Sequence, residues 1–309
     1  MRTARLKEGI LAAFILLAAC SGIPGFAQGP PPSFPPDVLD NLVSRIALYP
    51  DSLLAQVLAA ATFPDQLPDA ARWADQHHYL TGQALADAIQ GDAVPWDVSV
   101  QALLPFPSVL DMMASDMGWT QDLGNAFLAQ QQDVMDAVQR ERQKAYRYGY
   151  LRTGPRIVVT PGPYITIAAV DPNFIVVPVY DPRVVYFPPR PGFVVGGAIG
   201  WGFGINIGGF FRPWGWGVSR IGWGEHAVFI DRARWGRTWV NRGTYVHPYT
   251  TYRPAARPMP VVRPGEPRPA GRPPVVERHE IHGRSESERA APRRGEARPR
   301  EEHRDEHHR

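Results

Sequence analysis

Prolines and glycines are concentrated outside one stretch of this chain, residues 37 to about 150, and that interruption limits the folds open to it. The sequence holds 29 glycines and 33 prolines in 309 residues, well above ordinary usage, and both residue types break regular helices. Several consecutive helices therefore fit only in the interruption. There the apolar residues return at helical spacing: Leu39, Leu42, Val43 and Ile46 form one stripe. Pro50 closes that helix, and Asp51 or Ser52 is expected to cap the next, which carries Leu53, Leu54, Val57 and Leu58. Pro64 and Pro68 punctuate, Thr81 caps a short helix through Leu85 and Ile89, and Trp96-Asp97 opens another. Thr120 starts the longest, with Leu123, Phe127, Val134 and Val138 on one side. Its far end is basic (Arg140, Arg142, Lys144, Arg147), which suits the negative end of a helix dipole.

This helical zone repeats itself. Ala47-Leu48-Tyr49-Pro50 followed by Ser52-Leu53-Leu54 is echoed by Ala102-Leu103-Leu104-Pro105 followed by Ser108-Val109-Leu110. Gln83 to Ile89 is echoed by Gln121 to Phe127. The spacings of the two pairs differ, so one copy carries an insertion, expected around Phe63 to Asp75. A helical pair used twice packs as a small bundle or solenoid-like domain.

From residue 155 to about 190 the pattern changes to short β-branched or aromatic runs separated by Gly and Pro. Ile157 to Val159, Tyr164 to Ala168, Phe174 to Val177 and Val184 to Phe187 read as strands. Asp171-Pro172 and Asp181-Pro182 recur ten residues apart, each opening a turn before an apolar run. Residues 192 to 224 then hold 12 glycines and four tryptophans. Gly192, Gly196, Gly200, Gly204 and Gly208 fall at every fourth position, and Gly192 to Phe211 is uncharged and long enough to span a bilayer. Gly200 to Ile205 alternates with period two, however, and glycine costs a helix about 1 kcal/mol per residue, so strand or irregular structure is favoured. His226 to Ile230 and Thr238 to Val240 are expected to close a last hairpin. Beyond residue 254 the chain has 13 Arg, 10 acidic residues, 10 Pro and 5 His with almost no large apolar side chain, a composition that cannot offset ordering entropy.

The N-terminus carries Arg2, Arg5 and Lys7 before an apolar run from Gly9 through Ala19 that is too short to remain in a bilayer. This is the layout of a secretory signal. Leu17-Ala18-Ala19-Cys20 resembles a bacterial lipobox, in which the cysteine receives diacylglycerol, and Cys20 is the chain's single cysteine. Pro24-Gly25-Phe26-Ala27 offers a competing cleavage site before Gln28. With acylation, Ser21 suggests sorting to an outer membrane. In either case no disulfide forms, and the fold depends on its core.

These readings give an α+β chain. Residues 1–27 are a signal peptide, cut before Cys20 in a lipoprotein and otherwise after Ala27, and 28–36 are a Pro-rich linker. Residues 37–150 form an N-terminal all-α domain, 155–190 short β-hairpins, 192–250 a Gly/Trp-rich segment with a hairpin, and 254–309 a disordered tail rich in Arg, Pro, Glu and His.

The assembled motifs resemble a bacterial family of unknown function, DUF3300. The likeness rests on Ile46 to Leu58, Ala70-Ala71-Arg72-Trp73, Pro95-Trp96-Asp97, Gln130 to Arg140, and Val177 to Tyr186. It covers roughly residues 37 to 187, and the sequence departs from the pattern near Thr153 to Thr166. The resemblance implies an exported envelope protein with a helical front and a short β segment, and it brings no catalytic residue.

Enzymatic constellations are missing from the sequence. It has no G-x-S-x-G elbow, no phosphate loop, no H-E-x-x-H and no G-x-G-x-x-G that opens a helix after a strand. His77-His78 ends a helix, where an imidazolium suits the dipole better than a metal. His303, His307 and His308 among acidic neighbours are a compositional metal signal, though a solvated mixed-charge tail explains them more simply. Asp65, Asp69, Asp75, Asp87, Asp92, Asp97, Asp111 and Asp116 fall where helices begin or turn, so capping accounts for them better than acid/base work. No catalytic, cofactor-binding or metal-binding residue is expected, only the lipid acceptor Cys20.

The expected function is a non-catalytic envelope protein, exported to the periplasm or outer membrane of a Gram-negative bacterium. Cys20 would anchor it in lipid, with its Trp, Tyr and Arg surfaces against an envelope protein or peptidoglycan. One alternative is a cell-wall hydrolase without a recognisable motif, with carboxylates near Trp73, Trp96 and Trp119. The other is polyanion or metal binding through the tail. A net charge of only +3 is thin for polyanions, and no nucleic-acid partner is expected.

Overall fold

The computed structural model describes residues 29, 31–192 and 195–246. Cys20, both cleavage sites and the tail histidines lie outside them.

The helical zone is as the periodicity implies. It comprises α1 (Pro36–Val43), α2 (Asp51–Ala60), α3 (Leu67–Gln76), α4 (Gly82–Gly91), the single turn α5 (Val98–Gln101), α6 (Pro107–Ser115), α7 (Met117–Ala129) and α8 (Gln131–Arg147). Prolines start three of these helices, and Pro50, expected to close the first, is instead the N-cap of α2. Pro36, Pro68 and Pro107 sit in first turns, where the missing N–H has no partner to lose. The two echoed segments adopt the same local form, a turn leading into a helix. Tyr49 N bonds Ile46 O at 3.0 Å before α2, and Phe106 N bonds Leu103 O at 2.8 Å before α6.

Two further expectations in this zone are corrected. Asp51 does not cap α2 with its side chain, because its carboxylate is directed to Arg142 (2.6 Å) and to the indole of Trp223 (3.0 Å). The long helix expected from Thr120 is two helices broken at Gln130, whose side chain turns back to bond Phe34 N at 2.7 Å. The basic end of α8 is in place, with Lys144 and Arg147 in its last turn, and its cations also make specific contacts. Arg140 and Lys144 pair with Asp40 of α1 at 2.6 and 3.2 Å, and Arg142 is fully buried.

Arg142 joins the helical layer to the β layer. Its Nε donates to Ala47 O (2.7 Å), Nη2 to Tyr49 O (2.8 Å), and Nη1 to both Ile165 O (2.8 Å) and Asp51. The guanidinium also lies 4.8 Å from the Trp223 ring centre. One turn earlier, Gln139 bonds both N and O of Ile165 (2.8 and 3.1 Å). Two α8 side chains thus satisfy the buried carbonyls of the turn before α2 and of the first β-hairpin, groups that are costly to leave unpaired.

The β layer consists of short antiparallel pairs. β1 (Ile157–Thr160) pairs with β2 (Thr166–Ala169); β3 (Phe174–Ile175) and β4 (Pro178–Tyr180) pair with β6 (Ile205–Asn206) and β5 (Ile199–Trp201). β7 (Arg220–Gly222), β8 (Ala227–Ile230) and β9 (Ala233–Arg234) form a three-stranded sheet. Two strands expected from sequence are absent. Asp181 accepts from Arg183 N at 2.9 Å and starts the one-turn helix α9 (Pro182–Val185), since Asp at the cap with Pro at the first position favours a helix. Asp171 makes the same turn bond to Asn173 N, but a strand follows it. β8 takes its partners from 220–222 and 233–234, while Thr238 and Asn241 bond each other in a turn (Thr238 N to Asn241 Oδ1, 2.7 Å).

The glycine/aromatic zone is part of the core. Trp214 and Trp216 are buried, and their indoles donate to Gln101 Oε1 (2.8 Å) and Ala102 O (3.0 Å). Gln56 of α2 donates to Trp214 O at 3.1 Å. Helices and strands share one continuous apolar core, and among the described residues no helix is long and apolar enough to cross a membrane.

A cluster of buried phenols fastens the hairpin arms to the helices. Tyr180 and Tyr186 hydroxyls both donate to Ser44 O, at 2.9 and 2.8 Å. Burial pushes Tyr49 up to about 12 and raises Tyr180 and Tyr186 well above the ordinary phenol range. The unfolded chain releases these protons near pH 10. The stability they contribute is therefore complete below about pH 10 and is lost as pH rises toward the folded-state values. We expect these three of the eleven tyrosines to ionise only together with unfolding. Parallel tyrosinate absorbance and circular dichroism titrations check this, and complete ionisation with the fold intact would refute it.

Candidate functional site

The arms 174–180 and 199–206 run antiparallel, but their register slips. Ile175 faces Ile205, and Pro178 faces Trp201. Two residues (Val176, Val177) on one arm therefore oppose three (Gly202, Phe203, Gly204) on the other. This is a β-bulge, a device that re-aims a side chain. It turns Phe203 outward, where the side chain is 87% exposed. Gly204 is needed for closeness: a Cβ there would lie 2.9 Å from Phe174 Cβ.

Arg156 ties the bulge to the first hairpin. Its carbonyl accepts from Val170 N at 2.9 Å, continuing the β1–β2 ladder by one pair. Its Nη1 donates to Trp201 O (2.7 Å) and Gly202 O (3.1 Å), and its guanidinium lies 4.7 Å from the Phe203 ring centre. Strand alternation puts Val158, Ala168 and Val170 on the same outward face, while Ile157, Val159 and Ile167 are buried behind it. Six of the eleven exposed large apolar residues described (Val158, Val170, Phe174, Val179, Phe187, Phe203) come from this β segment. Of these, Val170 and Phe174 border one cleft together with Arg156, on which Phe203 lies, and an apolar grouping of this kind marks a contact surface.

An open cleft of about 210 Å³ lies in this face, between the first hairpin and the bulge. Pro155, Ala169, Val170 and Val176 line it with Phe174 and Gly204, and Arg156 and Asp171 supply opposite charges at its edge. Small-molecule sites usually start near 300 Å³, so the cleft suits a single side chain better than a substrate. The outer edge of β1 is closed to strand addition: Thr153 Oγ1 bonds both N and O of Val159 (3.0 and 3.1 Å), and Gly154 N bonds Ile157 O.

The residues singled out from sequence have other placements. Trp119 is buried and donates to Leu42 O at 2.8 Å, and Trp73 and Trp96 pack against the core. Asp97 caps Ser99 N at 2.9 Å. Asp116 caps Trp119 N and pairs with Arg45; the backbone bond, followed by the guanidinium, holds its carboxyl below the usual range. Asp69, Asp87 and Asp92 bond Arg72, Gln83 and the Trp73 indole. His77 stacks on Trp73 at 3.9 Å at the end of α3. Among the described residues no three His, Cys, Asp or Glu side chains are grouped to hold a metal ion. Of the aspartates singled out from sequence, Asp97 and Asp116 cap helices and Asp69, Asp87 and Asp92 bond neighbouring side chains, while the three tryptophans pack in or against the core. Sequence reasoning missed Phe203 and Arg156; the only signal was a large apolar residue isolated between two glycines.

Comparison with known proteins gives the following. A family model described as protein of unknown function (DUF3300) matches residues 36–235. The chain is 37% identical over 181 residues to a protein of Escherichia coli (strain K12) described as uncharacterized protein YacH, covering 48% of this chain and 29% of that relative. The match thus spans less than a third of the relative's length. No solved structure matches.

Proposed function

This chain belongs to the DUF3300 family of proteins of unknown function, and from that premise we propose that it is an exported, non-catalytic contact module of the cell envelope, binding a partner through the face around Phe203. The carrying observation is the division of side chains. Those of the segment 46–58 are largely turned into the core, while Phe203 projects from the bulge and Val170 and Phe174 stand exposed at the adjoining cleft. Interaction surfaces centre on exposed aromatics beside arginine, as Phe203 stands beside Arg156.

The anchor is the lipid on Cys20. Gly29, nine residues later in the sequence, accepts a bond from the Trp239 indole at 3.1 Å, and Phe34 is held by Gln130. From that docking point α8 leads for 17 residues, about 25 Å, before the chain enters the β layer. This arrangement supports a module whose first described residues are fastened to its own fold close behind the anchor.

Phe203→Ser with Val170→Ser should leave stability within about 0.5 kcal/mol of wild type, as for exposed sites generally. It should also abolish enrichment of a specific envelope component in a pull-down from solubilised membranes. Equal recovery by wild type and variant would refute the assignment of this face. Labelling with a fatty-acid analogue tests the anchor separately: wild type takes label and Cys20→Ala does not, and an unlabelled wild type ends the lipoprotein reading.

A further inference from the structure

The Phe203 face carries a projection and a recess side by side. The projection is the Phe203 ring. The recess is the neighbouring cleft of about 210 Å³, against Phe174, Val170 and Val176. An apolar cavity of roughly 150 Å³ admits a benzene ring, so the recess takes one phenyl ring and little more. The molecule's own Phe203 lies against Arg156 instead.

The charges at the recess are one cation and one anion that do not pair with each other. Arg156 bonds the carbonyls of Trp201 and Gly202, and Asp171 accepts from Asn173. A face with no net charge selects neither a polyanion nor a polycation, and the carboxylate of Asp171 opposes an anionic lipid surface. Turned about a two-fold axis, the same face meets its own complement, with Arg156 of each copy against Asp171 of the other. Strand addition by an extended peptide is blocked at the capped outer edge of β1.

We infer that the occupant of this face is a second copy of the chain, with Phe203 of each copy seated in the recess of the other. A patch that contacts itself in this way closes into a dimer and cannot propagate. The inference rests on the reading of the face as a contact surface, and it names the partner.

The test is site-specific photocrosslinking of the full chain in its cells, with the single-ring p-azidophenylalanine in place of Phe203 and, as control, in place of exposed Gln121 on α7. The expected product has twice the chain's mass, contains only this chain's peptides, and maps to the recess. Asp171→Arg should reduce its yield about tenfold or more, since it sets like charges against each other across the interface. Adding Arg156→Asp should restore it. Because Arg156 also supports the bulge, melting of the purified variants monitors the fold, and Asp171→Arg alone still tests the pairing. An adduct to a different envelope protein overturns the second copy and leaves the contact surface standing. No adduct at 203 above the control overturns both.

Discussion

Replacing Arg142 by methionine should lower stability by about 3–5 kcal/mol, the usual cost of removing one member of a buried ion pair. The methionine fills much of the space, but the carbonyls of Ala47 and Tyr49 lose their donor, Ile165 O keeps only the bond from Gln139, and Asp51 loses its 2.6 Å partner. At about 2–4 °C per kcal/mol for a domain of this size, the thermal midpoint should fall by roughly 6–20 °C. Arg142→Lys should be intermediate, because a point charge cannot serve four acceptors spread around a planar fork. Circular dichroism melts of the three proteins check this. A methionine variant that melts with wild type would mean the carbonyls find other donors, and the junction between helical and β layers would need another explanation.

The second large effect is expected at Gly124. Its α-carbon faces α2 so closely that a Cβ would lie 2.0 Å from Ala61 O and 2.7 Å from Ala61 C. Both atoms are backbone, so no rotamer change relieves the clash. Gly→Ala in an open helix gains up to about 1 kcal/mol, but overpacking costs about 1–3 kcal/mol, occasionally more. Here the steric cost wins, and α2 and α7 must move apart. Gly118→Ala on the same helix is the control, since its nearest neighbour is 3.9 Å away. Urea titration should show a lower midpoint for Gly124→Ala and an equal or higher one for Gly118→Ala. The same sign for both would refute the close-approach argument.

Gly124 also shows how far the internal echo reached. The two turn-and-helix segments before α2 and α6 do share a local form, because the apolar-Pro-apolar spacing acts within a few residues. The second echoed pair sets Ala86 against Gly124, and nothing local distinguishes the two positions. The difference is dictated by Ala61, far away in the sequence. Asp181-Pro182 fails similarly as a copy of Asp171-Pro172. Both make the same turn bond, but the first is followed by residues that find β6 to pair with, and the second continues as a helical turn.

The candidate site was less legible than the fold. Alternation in Gly200 to Ile205 marked a strand, yet the one-residue slip that exposes Phe203 depends on which residues the opposite arm supplies. Arg156 reads as a loop cation until the hairpin brings it over the bulge.

Sequence by itself therefore determined the order of the zones, the helical spacing of the core and the turns at Asp-Pro. These are set by backbone sterics and periodicity within a few residues. Only the tertiary structure decided that Arg142 is a buried junction, that Gly124 must be glycine, and that Phe203 faces out beside a recess. Each of these depends on a partner distant in sequence, and on desolvation or steric contact that exists only once the chain has closed.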